Sequence, residues 1–158
     1  MTRDEPTYDK PRIDKLGVKP GMRVAILGVA DADIVAEVRD RTDDLSLDTV
    51  TPPADLILFG ADDGDRLAQL ADLRSMIRSD GAIWVISRKG RSATVRDVDV
   101  IAAALAAGLV DNKVVSFSAT HTSLRLVVRR ADRASHRHAA RAASTRVSGD
   151  VDTTGGGT

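Results

Sequence analysis

The sequence predicts an α/β fold: one three-layer domain whose mainly parallel sheet ends in an antiparallel hairpin. Three observations carry this. Short aliphatic runs bounded by glycine, proline or polar residues recur at Arg23–Leu27, Asp55–Phe59 and Ala82–Ile86, as expected of strands buried on both faces. Segments of helical apolar spacing lie between them, so strand and helix alternate as in a parallel sheet covered on each side. The last two apolar runs, Asn112–Phe117 and Ser123–Val128, flank a polar turn at Ala119–Thr122, which suits a hairpin.

Taken in order, residues 1–12 are polar, carry two prolines and read as a flexible arm. Ile13–Gly17 suits a helical turn closed by glycine, and Pro20-Gly21 forces a reversal before the first strand. Asp31 or Asp33 can cap the next helix, which runs to about Arg41 with Ile34, Val35 and Val38 on one face. Ser46–Val50 is a brief strand, and Pro52-Pro53 breaks the chain before the second long one. Leu67, Leu70, Leu73, Met76 and Ile77 give Arg66–Arg78 a helical period that stops at Asp80-Gly81. Val98–Ala107 is an alanine-rich helix, with Gly108 as its left-handed cap. From Ala131 the only large apolar residues are Val147 and Val151, so 131–158 is expected to be a disordered basic, glycine-rich tail.

Composition bounds the function. A length of 158 residues is one domain's worth. Aromatics at 3% leave a core of Val, Ile, Leu and Ala. A formal net charge of +0 excludes the whole-molecule field of a strongly basic nucleic-acid binder. The absence of cysteine excludes disulfides, thiolate catalysis and cysteine-ligated zinc. No apolar run nears the ~20 residues of a membrane span, and Met1–Pro6 lacks the apolar middle of a signal peptide. The expected location is the cytoplasm, with no membrane partner.

Four segments together resemble the class I, S-adenosylmethionine-dependent methyltransferases. Leu16–Val24 looks like that family's lead-in to its first strand, and Ala54–Leu58 like its fourth. Ile77–Val85 is similar to the glycine turn before its fifth, and Ala106–Val114 to its last helix and the turn into the terminal hairpin. The match is closer to an uncharacterised family of short bacterial proteins resembling truncated methyltransferases. Lys15–Gly21, Gly81–Trp84 with Lys89, and Gly108–Val110 carry it. The resemblance covers residues 13–130 and implies a Rossmann-like, truncated methyltransferase-like sheet in family strand order 2-1-4-5-7-6, the last strand antiparallel. Gly28 to Asp55 holds one helix and at most one strand. A crossover unit needs about 30 residues, so one strand and one helix of the full fold are missing.

The resemblance also places candidate cofactor-binding residues. Gly28 occupies the turn after the first strand, where a missing Cβ lets a ligand approach the backbone. Asp31 follows it, Asp48 is the candidate for the ribose acid, and Asp55 belongs to the same proposed cleft. Against retention, the family's first-strand acid falls on Ile26 and its later glycines fall on Ala30 and Ala32. S-adenosylmethionine is therefore a possible cofactor, with none the favoured expectation.

Outside that turn, Arg88, Lys89 and Arg91 sit on a glycine-containing loop at a strand's carboxyl end, where open α/β sheets place ligands. They could grip a phosphate or carboxylate, or simply be solvated. Asp62–Asp65 resembles part of a calcium loop but lacks its closing glutamate, and suits capping of the helix near Arg66. His121, His136 and His138 form no metal set, and no metal or catalytic residue is assigned. Arginines at 125, 129, 130, 133, 137, 141 and 146 could form a basic stripe on a polyanion.

Three functions stand open: a non-catalytic interaction or ligand-sensing module, taking a protein partner or a small anionic ligand; a residual small-molecule or methyl transferase using the cleft; and a nucleic-acid accessory protein acting through the tail. The first leads, and whether the chain is an enzyme stays open, leaning against.

Overall fold

The computed structural model describes residues 10–135. Six strands form one sheet in the order β2-β1-β3-β4-β6-β5. They are β1 (Val24–Leu27), β2 (Leu45–Leu47), β3 (Ala54–Gly60), β4 (Ile77–Arg88), β5 (Leu109–Ser116) and β6 (His121–Val128). β2, β1, β3 and β4 are mutually parallel, while β6 runs antiparallel to both β4 and β5. This is the expected strand order with the last strand reversed. The helices are α1 (Arg12–Lys15), α2 (Ala32–Arg41), α3 (Leu70–Arg74) and α4 (Asp97–Ala106).

The central strands are apolar along both sides because both sides are covered. Successive side chains of a strand point to opposite faces. Leu56, Leu58, Trp84 and Ile86 accordingly pack with Ile13 of α1, Leu16 just after it, and Ile34 and Val38 of α2. Ile57, Phe59, Ile83 and Val85 pack with Leu70, Leu73, Val100 and Ala104 of α3 and α4. The indole Nε1 of the fully buried Trp84 donates to the Leu16 carbonyl at 2.9 Å, tying the first helical turn to the middle of the sheet.

Several boundaries move. Arg12, assigned above to the arm, is the first residue of α1. The helix expected over Arg66–Arg78 is a 3-10 turn, Gly64–Gln69, followed by the short α3. Ile77 to Gly81 belong to β4 instead, because Ile77 pairs with Ala54 before a register shift brings Ala82 opposite Leu56. A Cβ at Gly81 would stand 2.9 Å from the Asp55 carbonyl, so glycine permits the close approach at that irregularity. β5 begins at Leu109, earlier than Asn112, with a further irregularity between Asp111 and Lys113. Asp63 does cap the turn that follows it, accepting from the Arg66 N–H at 3.0 Å.

No helix among the described residues is long and apolar enough to cross a membrane. Residues 131–135 continue from β6 as a 3-10 turn and a short helical stretch. The remainder of the tail, with His136 and His138, and most of the arm lie outside the described residues.

Candidate functional site

From β1 the chain steps outward to β2, then returns to the other side of β1 for β3. The reversal makes the carboxyl ends of β1 and β3 a topological switch point, where open α/β sheets bind ligands. Two glycines meet there. A Cβ at Gly60 would lie 2.2 Å from the Gly28 carbonyl oxygen, so the two backbones touch. Gly28 has φ +64, and a Cβ there would lie 2.7 Å from the Arg66 guanidinium. Arg66 Nε donates to the Gly60 carbonyl at 2.8 Å, and the guanidinium stacks 5.0 Å from the Phe59 ring centroid. The open face of the glycine turn is thus filled by the protein's own cation.

Beside this junction, the β5–β6 turn leans over the strand ends and encloses a cleft of about 210 Å³. Gly28, Val29, Ala30 and Asp31 form one wall, and Phe117, Ser118, Thr120 and His121 the other; Asp62, Ile86 and Arg88 border it at the ends of β3 and β4. The turn is held by its own polar groups. Ser118 Oγ accepts from the N–H groups of Thr120 and His121 at 3.2 and 3.1 Å, and Thr120 Oγ1 lies 2.8 Å from His121 Nδ1.

Asp31 is already engaged. It caps α2 by accepting from the Ile34 N–H at 3.0 Å, and it is gripped by Arg12 at 3.0 and 3.2 Å. Arg12 also bonds Glu37 at 2.8 Å and the Phe117 carbonyl at 2.9 Å, with its guanidinium 4.5 Å from the Phe117 ring centroid. Burial works against the charged Asp31 carboxylate, but the Arg12 and Ile34 bonds outweigh it and hold its pKa below the ordinary carboxylate value. The Glu37 bond, outweighing burial and joined by the Asp31 contacts, raises the Arg12 guanidinium above its ordinary value.

The other sequence candidates scatter. Asp48 follows β2, exposed, with φ +60 and its N–H donating to the Ile26 carbonyl at 2.8 Å, and it does not border the cleft. Asp55 stands at the opposite end of the sheet from Gly28, which corrects the expected grouping. It lies at the start of β3, where it accepts from the Arg23 N–H at 2.8 Å and pairs with Arg78 at 2.9 Å. Lys89 turns away from the cleft and donates to Ser116 Oγ at 2.7 Å, and Arg91 is exposed on the 3-10 turn Gly90–Ser92. Arg88 alone of that loop reaches the cleft, and it also borders a wider groove beside α4. Among the described residues no cluster of histidine and carboxylate could hold a metal ion.

Sequence reasoning missed Arg12 and Arg66, because a lone arginine in a charged stretch carries no sign of what it will reach. Ser118 and Thr120 were legible as a turn. Their place over the switch point follows only from β5 running parallel to β4.

Residues 13–130 match the family described as protein of unknown function (DUF3052). The chain belongs to that family. The matched span starts one residue inside α1 and runs past β6, so it takes in the whole sheet. No curated protein matches the chain in sequence.

In fold, the family member resembles methyltransferases. The pyocyanin biosynthetic protein PhzM superposes with a TM-score of 0.57 at 13% identity, over 73% of this chain and 52% of that one. The O-methyltransferase NcsB1 of neocarzinostatin biosynthesis was solved with S-adenosylmethionine and 2-hydroxy-5-methyl naphthoic acid. It gives 0.55 at 14% identity, over 72% of this chain and 50% of that one. LaPhzM gives 0.54 at 9% identity, over 73% and 53%. The chain therefore spans about half the length of these relatives, and at such identities the likeness is one of fold.

At the turn that would hold S-adenosylmethionine, the chain's own side chains crowd the approach. Arg66 fills the face of Gly28, Arg12 occupies Asp31, and Ile26 supplies no carboxylate. The cleft of about 210 Å³ is also smaller than the roughly 300 Å³ at which ordinary ligand pockets begin.

Proposed function

We propose that this chain is a non-catalytic ligand-sensing module, a methyltransferase-like scaffold whose cofactor turn is closed by its own side chains. The observation that carries this is Arg66 across Gly28 and Gly60. A glycine turn binds a ligand by offering bare backbone, and here a guanidinium bonded to the Gly60 carbonyl lies across the face of Gly28. The Arg12–Asp31 contact closes the adjoining approach, since the carboxylate's acceptors are already shared between a guanidinium and a helix N-terminus. What is left open is the small cleft under the β5–β6 turn, which has polar walls and an apolar floor at Ile86.

Thermal denaturation with S-adenosylmethionine tests the reading. A ligand at 100 times its dissociation constant adds about 2.7 kcal/mol of stability. The expected result is no shift at millimolar concentration, for the natural chain and for Arg66→Ala alike, because the Arg12–Asp31 closure and the narrow cleft persist in that variant. A saturable shift in the natural chain would restore the transferase reading, to which the complexed NcsB1 relative points.

A further inference from the structure

We infer that the cleft under the β5–β6 turn binds a small zwitterion of the free amino-acid class, its carboxylate held by Arg88 and its ammonium by Asp62. This rests on the cleft being a sensing site. Gly60 of β3 pairs in register with Ile86 of β4, and Asp62 and Arg88 each lie two residues beyond that pair. Asp62 lies in the bend just after β3 and Arg88 is the last residue of β4, so an acid and a cation stand at the same end of two neighbouring strands. Both border the cleft, yet neither has a side-chain partner among the described residues. On the next strand His121 is the register partner of Arg88, and with Thr120 it completes a polar rim.

The charge inventory selects the ligand. Asp31 is neutralised by Arg12, leaving Arg88 and Asp62 as the cation and acid of the cleft without a side-chain partner among the described residues. A phosphate or simple carboxylate would be gripped by Arg88 but repelled by Asp62, whereas a zwitterion satisfies both. Size agrees. At about 210 Å³ the cleft lies below the roughly 300 Å³ at which ordinary ligand pockets begin, which suits a small amino acid. Ile86 and Val29 offer an apolar surface to a short aliphatic side chain.

Calorimetric titration of the full chain with L-alanine, L-leucine, acetate, methylamine, inorganic phosphate and S-adenosylmethionine tests this. The expected result is one site for an amino acid and none for acetate, methylamine or phosphate. Asp62→Asn and Arg88→Gln should each weaken amino-acid binding about tenfold or more. Both residues are exposed, so the unliganded melting temperature should hold in each variant and report that the fold is intact. Binding of acetate or phosphate as tight as that of an amino acid, or Asp62→Asn binding unchanged, overturns the zwitterion. No amino-acid binding overturns it too, while the non-catalytic reading survives as long as S-adenosylmethionine also fails to bind. Binding of S-adenosylmethionine overturns both.

Discussion

Arg12 gathers Asp31, Glu37 and the Phe117 carbonyl around one guanidinium, so a single side chain joins α1, α2 and the end of β5. Replacing it by glutamine removes bonds to charged partners and should cost about 2 kcal/mol, measured by urea unfolding at pH 7. The pH dependence has a definite sign. Asp31 has a folded pKa below its unfolded value of about 3.9. Its contribution is therefore complete above about pH 5 and is lost as pH falls through the folded value. The stability gap between the natural chain and Arg12→Gln should accordingly shrink at pH 3, and an equal gap at both pH values would sink this account. At this scale the sequence was least readable. Asp31 was legible as a cap and Gly28 as a turn, but both are also held by arginines 19 and 38 positions away, at 12 and 66. Local pattern carries no information about such partners.

Elements follow local pattern where burial and propensity agree. α2 begins at its Asp31 cap and α4 stops before Gly108 at φ +83, both near the expected boundaries. The helix expected to reach Arg78 fails because sheet pairing competes with helical spacing. Leu67, Leu70 and Leu73 are buried from the turn and α3, while Ile77 is buried by pairing in the sheet, so one apolar series serves two elements. The β1–β3 contact offers a test. A Cβ on Gly60 would meet the Gly28 carbonyl at 2.2 Å, backbone against backbone with no side chain to move aside. Gly60→Ala should therefore destabilise by about 2 kcal/mol or more, as overpacked sites do, with a lowered urea midpoint and an unchanged slope. A midpoint within error of the natural protein would contradict the close approach.

For the whole molecule, β3 and β4 are shared by both cores, each strand giving alternate residues to each face. Neither face can lose its packing without exposing the strands that support the other. Trp84, the single tryptophan, sits in the α1–α2 core, while much of the helical signal comes from α4 in the opposite one. Tryptophan emission and far-ultraviolet circular dichroism should therefore follow one superimposable denaturation curve. Separate midpoints would mean that the two faces unfold independently.

The strand order was implied by the resemblance to methyltransferases, whereas the sequence by itself determined the alternation of aliphatic strands with helices and the closing hairpin. These follow from burial periodicity and turn chemistry, which are local and repeated many times along the chain. Only the tertiary structure decided the character of the site. It brought Arg66 onto Gly28, locked Asp31 to Arg12, sent Asp55 to the far end and folded the Ser118–His121 turn over the switch point. The physical reason is that a binding site depends on where a few side chains meet across the sheet, and their identity along the chain leaves that distance unspecified.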